Sequence, residues 1–151
     1  MIGRYVAGLI AVVSLVLLPV KYKGLSLAER EENAVQAALD ETFAKIRSDG
    51  RITLEHIEAL RAGIAISGIP HDIEIEVGTV LVGKSEKVIT VRYTEEIMAE
   101  LTGGGSIDVR HCLVSITADP LRTSFGEALA NMFWDSYVPV REKVSGGYIY
   151  G

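Results

Sequence analysis

The sequence predicts an α+β fold, in which an apolar N-terminal helix continues into an amphipathic helix that packs, with shorter helices, on a small antiparallel sheet. Three observations support this fold class. Residues Tyr5–Val20 form an uncharged apolar run, and residues Ser26–Ser48 carry apolar side chains at helical spacing. After Pro70 the pattern changes to alternating apolar and acidic residues, which is typical of half-buried strands. Helices combined with strands in this order favour the α+β class.

The apolar run lies between Arg4 and Lys21, and its sixteen residues would rise about 24 Å as a helix. Flanking basic side chains that reach the headgroups would bring it close to the roughly 30 Å hydrocarbon core of a bilayer. A cleaved signal peptide is the alternative, but the small-x-small sites at Gly24–Ser26 and Ser26–Ala28 lie beyond two lysines. We therefore expect residues 1–23 to be a retained single-pass anchor. Residues 24–151 are expected to form one domain outside the cell, because a four-residue tail is unlikely to be exported.

The elements after the anchor follow from periodicity and from turn residues. Ser26 and Glu29 match a capping box at the start of the amphipathic helix. Because only Pro19 and Gly24 interrupt the helical pattern between the anchor and this helix, the two helices are expected to join with a bend. Asp49-Gly50 should end this helix. Further helices are predicted from an N-cap at Thr53 to Ser67-Gly68, over Thr94–Leu101 and over Leu121–Tyr137. Strands are predicted around Ile73–Val77, over Val88–Tyr93 and over Ile107–Thr117, with a turn at Gly83–Ser85 and an extended tail at Gly146–Gly151.

Composition and motifs exclude several function classes. The net charge of −5 and the lack of a basic patch argue against nucleic acid as a partner. Cys112 is the only cysteine and is expected to be a buried, unreactive residue. The three histidines, His56, His71 and His111, follow no metal-ligand spacing, and the Gly103–Gly105 run lies between a helix and a strand, the wrong order for a phosphate loop. We therefore expect no enzyme activity, no cofactor and no metal.

Two groups of residues are candidates for contacts with partners. Leu9, Val13 and Leu17 are expected to carry contacts between neighbouring anchor helices, with Gly8 and Ala11 allowing close approach. Near the C-terminus, aromatic side chains that give contact area at low entropic cost are the second group. Its members are Trp134, Tyr148 and Tyr150.

Several segments, taken together, resemble one protein family over most of the chain. They are Leu17–Val20, Phe43–Gly50 followed by Ile52-Thr53, Ser67–Ile75, Tyr93–Ile97 and Ser145–Ile149. The resemblance is to the small pseudopilin-like proteins of tight-adherence (Tad, type IVb) pilus loci of Gram-positive bacteria. It implies a pilin-like fold and a non-enzymatic structural or accessory subunit of a type IV or Tad-like pilus or a related surface assembly. The implied partners are like or related pilin-type subunits, contacted through the N-terminal helix, and the membrane.

The chain departs from this family at the processing site. Pilins of the class are cut after a Gly or Ala that has a Glu five residues later and an apolar run downstream. Gly3 is followed at that distance by Gly8, and Gly24 has Glu29 but its apolar run lies upstream. This departure favours a minor, accessory or membrane-retained subunit. A membrane-anchored binding or sensor module outside the cell is the alternative function, and an exported enzyme is the third.

Overall fold

The computed structural model describes residues 2–82, 87–132 and 142–150, and the predicted turn at Gly83–Ser85 lies outside them. The helices in these residues are α1 (Ile2–Asp49), α2 (Leu54–Ala65), α3 (Thr94–Thr102) and α4 (Phe125–Asn131). The strands are β1 (Arg51–Ile52), β2 (His71–Val82), β3 (Lys87–Arg92), β4 (Ile107–Asp108), β5 (Cys112–Pro120) and β6 (Lys143–Tyr148). The α+β class, with a long apolar N-terminal helix and small antiparallel sheets, is therefore confirmed.

The chain divides into two compact units, and the boundary between them falls within α1. Unit 1 comprises Met1–Glu31 and Thr123–Val140, so it holds the N-terminal part of α1 together with α4. Unit 2 comprises Glu32–Arg122 and Arg141–Gly151, and it holds the rest of α1, the other two helices and the strands of the described residues.

Helix α1 is continuous from the apolar run to Asp49, which confirms that the anchor and the amphipathic helix join. The prediction that a capping box at Ser26 begins a helix is therefore wrong. The preceding turn is already helical and supplies carbonyl acceptors, which leaves no free N–H groups for Ser26 to cap. Pro19 lies inside the helix, where it contributes no N–H donor. The predicted end is confirmed: Gly50 has a φ of 65°, and its N–H donates to the Ile46 carbonyl at 2.9 Å.

Two antiparallel sheets form within the described part of unit 2. Strands β3-β2-β5-β6 pair in that order, and β1 pairs with β4. The register aligns Ile75 with Ile116 and Val77 with Val114, so apolar side chains share one face of the larger sheet. That face, together with α1, α2 and α3, encloses the core. Its largest fully buried side chains include Leu39, Ile46, Ile52, Ile57, Leu60, Ile75, Ile97, Leu101, Ile116 and Ile149.

The predicted strand over Ile107–Thr117 is wrong, because a turn divides it into β4 and β5. The Cys112 N–H donates to the Val109 carbonyl at 3.1 Å, and His111 takes a φ of 61° at the third turn position, as a type II turn requires. His111 then donates to the Ile149 carbonyl at 2.8 Å, while the Ile149 N–H donates to Cys112 at 3.0 Å. This is a bulge with a left-handed first residue, and it joins β5 to the tail, whose predicted extended structure is confirmed as β6.

The predicted helices α2 and α3 are confirmed to within a residue or two, but the last helix begins later than the predicted Leu121. The Leu121 N–H donates to the Pro70 carbonyl at 2.9 Å, which continues the pairing of β2 with β5. Ser124 is the N-cap: its Oγ accepts from the Glu127 N–H at 3.0 Å, and Glu127 accepts from the Ser124 N–H at 2.8 Å. The predicted end at Tyr137 lies outside the described residues.

Candidate functional site

The N-terminal part of α1 presents an apolar surface without covering neighbours among the described residues. The large side chains from Tyr5 to Leu18 are mostly exposed, including Leu9 at 66% and Val13 at 45%. Open space surrounds Gly8, since a Cβ added there would meet no atom within 4 Å. In the described residues this is the one helix long and apolar enough to cross a membrane, and none of its most apolar window is buried.

The five residues predicted to carry helix–helix contacts divide between two sides of this helix. At about 100° per residue, Leu9, Val13 and Leu17 form one stripe, because they recur every four residues. Gly8 and Ala11 lie about 140° and 160° around the helix from Val13, the centre of that stripe, and the exposed Leu15 lies between them. Leu17 is half-buried and the other four are exposed. The structure therefore places the ridge of Leu9, Val13 and Leu17 opposite a side on which two small residues flank one large side chain.

A close crossing of α1 and α4 lies just beyond the apolar run, within unit 1. A Cβ on Gly24 would lie 2.6 Å from the Ala130 backbone nitrogen, and one on Gly126 would lie 2.4 Å from that of Ala28. Contacts this short leave no room for a side chain, so the two helices meet backbone to backbone at their small residues. The sequence reasoning missed this crossing, although the matching Gly-x-x-x-Ala spacings at residues 24–28 and 126–130 are a signal that could have found it.

The outer face of the larger sheet, in unit 2, carries an exposed apolar strip. One row of cross-strand partners joins Val91 on β3, Gly78 on β2, Leu113 on β5 and Tyr148 on β6. Leu113 is 54% exposed, and the Tyr148 ring makes an edge contact with the Tyr150 ring at a centroid distance of 4.9 Å. We call Val91, Leu113, Tyr148 and Tyr150 the sheet strip. Both predicted tyrosines are thus exposed and lie together, whereas Trp134 lies outside the described residues.

The rest of this face is acidic along β2, as the alternation predicted. Asp72, Glu74 and Glu76 are exposed, and Ile75 and Val77 on the opposite face are buried. A groove of about 500 Å³ runs beside these carboxylates and is also lined by Tyr93 and Glu95. Sequence reasoning missed Leu113 and Val91 as neighbours of the tyrosines, because strand register cannot be read from a single strand.

Polar contacts elsewhere in unit 2 are explained by local structure. His56, which is buried, accepts from the Thr53 N–H at 3.3 Å and lies 3.1 Å from an Asp49 carboxylate oxygen, so it caps α2. Cys112 is buried as predicted. Side-chain hydrogen bonds from Arg110, followed by a backbone hydrogen bond from the same residue, lower the pKa of Asp108 to about 2. These contacts hold turns and helix ends.

The described residues bring together no group of three His, Cys, Asp or Glu side chains that could hold a metal ion. A second groove, of about 570 Å³, lies between the end of α2 and the start of β2 and is lined mainly by apolar residues, with Arg61, His71 and Asp72. His71 Nδ1 lies 2.9 Å from the Ile69 carbonyl, so this imidazole is engaged by its own turn.

No protein-family model matches the chain, and no curated protein or solved structure matches it either. The physical features of the site are therefore the basis for a functional proposal.

Proposed function

We propose that the protein is a non-enzymatic structural or accessory subunit of a pilus-like surface assembly, held by its N-terminal helix in a membrane or in the packed core of a filament. The observation that carries this proposal is the uncovered apolar surface of α1 from Tyr5 to Leu18. The resemblance to small pseudopilin-like proteins of Tad loci agrees with this role. The remainder of the chain would face outside the cell.

The size of the exposed surface supports a partner for this helix. Nine large apolar side chains from Tyr5 to Leu18 are exposed, and burying each fully is worth about 1.5–3 kcal/mol. Their sum, about 14–27 kcal/mol, equals or exceeds the whole net stability of a typical domain, about 5–15 kcal/mol. A lipid bilayer or a set of like helices removes this surface from water, and the absence of charge between Arg4 and Lys21 suits both environments.

The arrangement of the two sides of α1 favours an open assembly over a closed dimer. A two-fold dimer would use the same surface of both helices. Here the ridge of Leu9, Val13 and Leu17 lies opposite the side that carries Gly8 and Ala11, so each helix can offer one side to one neighbour and the opposite side to another. Contacts between unlike surfaces of this kind generate rings or helical filaments.

The first experiment is to shear cells and to analyse the released filaments for this chain by immunodetection and intact mass. We expect to find the chain in the sheared fraction, with a mass that includes the N-terminal residues if the anchor is retained. Detection only in the membrane fraction would contradict a filament subunit and leave an accessory or solitary anchored protein.

A pair of matched variants tests whether the helix surface drives assembly. Val13→Asp introduces a charge into the apolar surface and should abolish assembly, whereas Ile66→Asp, at an 82% exposed position outside that surface, should not. Gly8→Leu keeps the helix apolar but fills the open space at Gly8, where a neighbouring helix could approach closely. It should therefore preserve membrane association and still reduce assembly. Normal assembly of Val13→Asp would rule out the proposal.

The sheet strip supports the second candidate function, a membrane-anchored binding or sensor module. An apolar row flanked by acidic residues is a surface on which a partner could dock. Leu113→Ser with Tyr148→Ser should then abolish partner capture by the intact chain while leaving filament incorporation unchanged. If filament incorporation is lost instead, the strip belongs to the assembly.

A further inference from the structure

We propose that α4 is a membrane-interface helix, whose exposed apolar side contacts the headgroup and upper acyl region of the bilayer crossed by α1. This inference rests on the proposed anchoring of α1 and adds a second lipid contact to it. It uses unit 1 alone, and within it only residues 2–31 and 123–132.

Helix α4 has a buried side and an exposed side. Gly126 and Ala130 are buried at the crossing with α1, and Glu127 is buried as the partner of the Ser124 cap. The other side consists of residues at spacings of three, four and seven, all of them apolar: Phe125, Ala128, Leu129 and Met132. Phe125 is 70% exposed and Met132 is 66% exposed. A helix this short that leaves its large apolar side chains uncovered is expected to have a partner.

The crossing determines where α4 lies along α1. Ala130 lies against Gly24, and Gly24 follows the last residue of the apolar run, Val20, by four positions. Four residues correspond to about 6 Å of helix rise. The headgroup region on each side of a bilayer is roughly 5–8 Å thick. Gly126 in turn lies against Ala28, about 6 Å further along α1. Because the apolar run is itself about 6 Å shorter than the hydrocarbon core, the crossing extends from the edge of that core through the headgroup layer.

The side chains near the crossing suit the headgroup layer of a bilayer. Lys23 is exposed and lies three positions beyond the apolar run, and basic residues at this place contact lipid phosphates. Amphipathic helices at an interface bury aromatic and long apolar side chains about 5–10 Å into the headgroup and acyl boundary. Phe125 and Met132 have the size and polarity that this layer accepts. We therefore infer that the exposed side of α4 contacts lipid and not a second protein chain.

The backbone contact at the crossing makes the arrangement rigid. Because a Cβ at Gly24 or Gly126 would collide with backbone atoms, α4 is seated directly on α1 without intervening side chains. The exposed side of α4 is thus held at a fixed depth relative to the apolar run, as an interfacial contact requires.

The test places one tryptophan at a time in the full-length chain, reconstituted in phosphatidylcholine–phosphatidylglycerol vesicles. The natural tryptophan is first replaced by Trp134→Phe, and the chain then carries Phe125→Trp, Met132→Trp, Val13→Trp or Tyr150→Trp. Lipids brominated near the ester end or near the chain end quench tryptophan according to depth. Tyr150 is 82% exposed in unit 2 and is the matched aqueous control.

We expect shallow bromines to quench the Phe125→Trp and Met132→Trp proteins more than deep ones do, deep bromines to quench Val13→Trp most, and neither to quench Tyr150→Trp. Deep quenching of Val13→Trp with Phe125→Trp and Met132→Trp behaving like the Tyr150→Trp control would overturn the interfacial role and leave the anchor intact. No quenching of Val13→Trp would show that α1 does not enter the bilayer, and the interfacial role of α4 would then fail together with the membrane anchoring on which it rests. Circular dichroism of each variant establishes that the helix content is retained.

Discussion

The two halves of α1 belong to one continuous helix, yet the burial of their apolar side chains differs. Between Tyr5 and Leu18 the large apolar side chains are exposed, whereas from Val35 to Ile46 an apolar stripe is buried in the core of unit 2. Leu9 and Leu39 are chemically identical residues in the same element, with exposed fractions of 66% and 0%. Helical structure by itself therefore does not determine what a helix does. The second half is buried by its own chain, and the first half leaves its apolar surface exposed among the described residues.

The largest expected effect separates the two halves directly. Leu39→Ala should lower the free energy of unfolding by about 2–5 kcal/mol, because it removes buried apolar contacts and leaves a cavity. Leu9→Ala should leave that free energy unchanged, since its side chain contacts no part of the folded core. Urea unfolding of the full-length chain in detergent micelles, followed by circular dichroism, measures both variants. Equal destabilisation by the two would show that the first half is also packed against its own chain.

The second prediction compares two glycines of α1. Gly24→Ala should loosen the crossing with α4, at a cost of about 1–3 kcal/mol, because the added methyl group would collide with α4 backbone atoms. Gly8→Ala should be neutral or slightly stabilising, since open space surrounds it and alanine favours a helix by up to about 1 kcal/mol.

Hydrogen exchange of the α4 amides gives the readout for this pair. We expect faster exchange in Gly24→Ala and unchanged exchange in Gly8→Ala. Unchanged exchange in both variants would mean that α4 is held by contacts other than the small-residue crossing.

The sequence predicted those elements whose signals are local. The periodicity of Val35 and Leu39, the N-cap at Thr53 and the alternation of Ile75 with Glu74 and Glu76 each reflect a local preference, and the structure confirms them. The two errors had different causes, one in the adjacent residues and one in a distant partner. Ser26 matches a capping pattern but lies inside a helix that was already under way, and the pairing of Ile149 with Cys112 determines the break between β4 and β5.

The candidate site was predictable to the same extent. The apolar composition of Tyr5–Val20 indicated the exposed surface, and the C-terminal tyrosines were identified as exposed aromatic residues. Val91 and Leu113 join them only through the register of three strand pairs, and the Gly24–Ala130 contact brings together residues more than a hundred positions apart. The two Gly-x-x-x-Ala spacings mark helices suited to a close crossing, but a local pattern does not say which helices meet. The assembly role remains a prediction.

The third prediction concerns backbone strain, which tertiary contacts maintain in unit 2. His111 is the non-glycine residue with a positive φ among the described residues. A left-handed conformation costs an L-residue about 1–2 kcal/mol, and glycine loses about 0.5–1 kcal/mol in backbone entropy. His111→Gly should therefore stabilise unit 2 by about 0.5–1 kcal/mol, which would appear as a higher urea midpoint.

A reverse substitution provides the control for that effect. Gly104 has a φ of 82° and no atom within 4 Å of an added Cβ, so Gly104→Ala introduces strain without a steric collision. It should lower the urea midpoint. Neither change should alter vesicle binding through the first half of α1. A fall in stability for His111→Gly would show that the imidazole makes a favourable contact that outweighs the strain.

The smallest expected effect is a pH dependence of stability, which should differ between unit 2 and the first half of α1. The hydrogen bonds from Arg110 hold the pKa of Asp108 at about 2, below its usual value of 3.8. The folded state therefore binds this proton less readily than the unfolded state. The stability that Asp108 contributes is present above pH 3.8 and is lost as the pH falls towards about 2. Asp108→Asn should lower the urea midpoint slightly near neutral pH, and the difference from the natural protein should vanish in that acid window.

The first half of α1 offers no comparable response. No carboxyl group lies between Arg4 and Lys21, so its association with uncharged phosphatidylcholine vesicles should stay constant over the same pH range in both proteins. Cosedimentation measured beside the unfolding curves tests this contrast. If association falls with pH while the two urea midpoints stay parallel, the groups that respond to acid lie in the vesicle-bound region, and the separation between the two halves of α1 would have to be abandoned. If association is constant and the midpoints converge, acid acts on unit 2 alone.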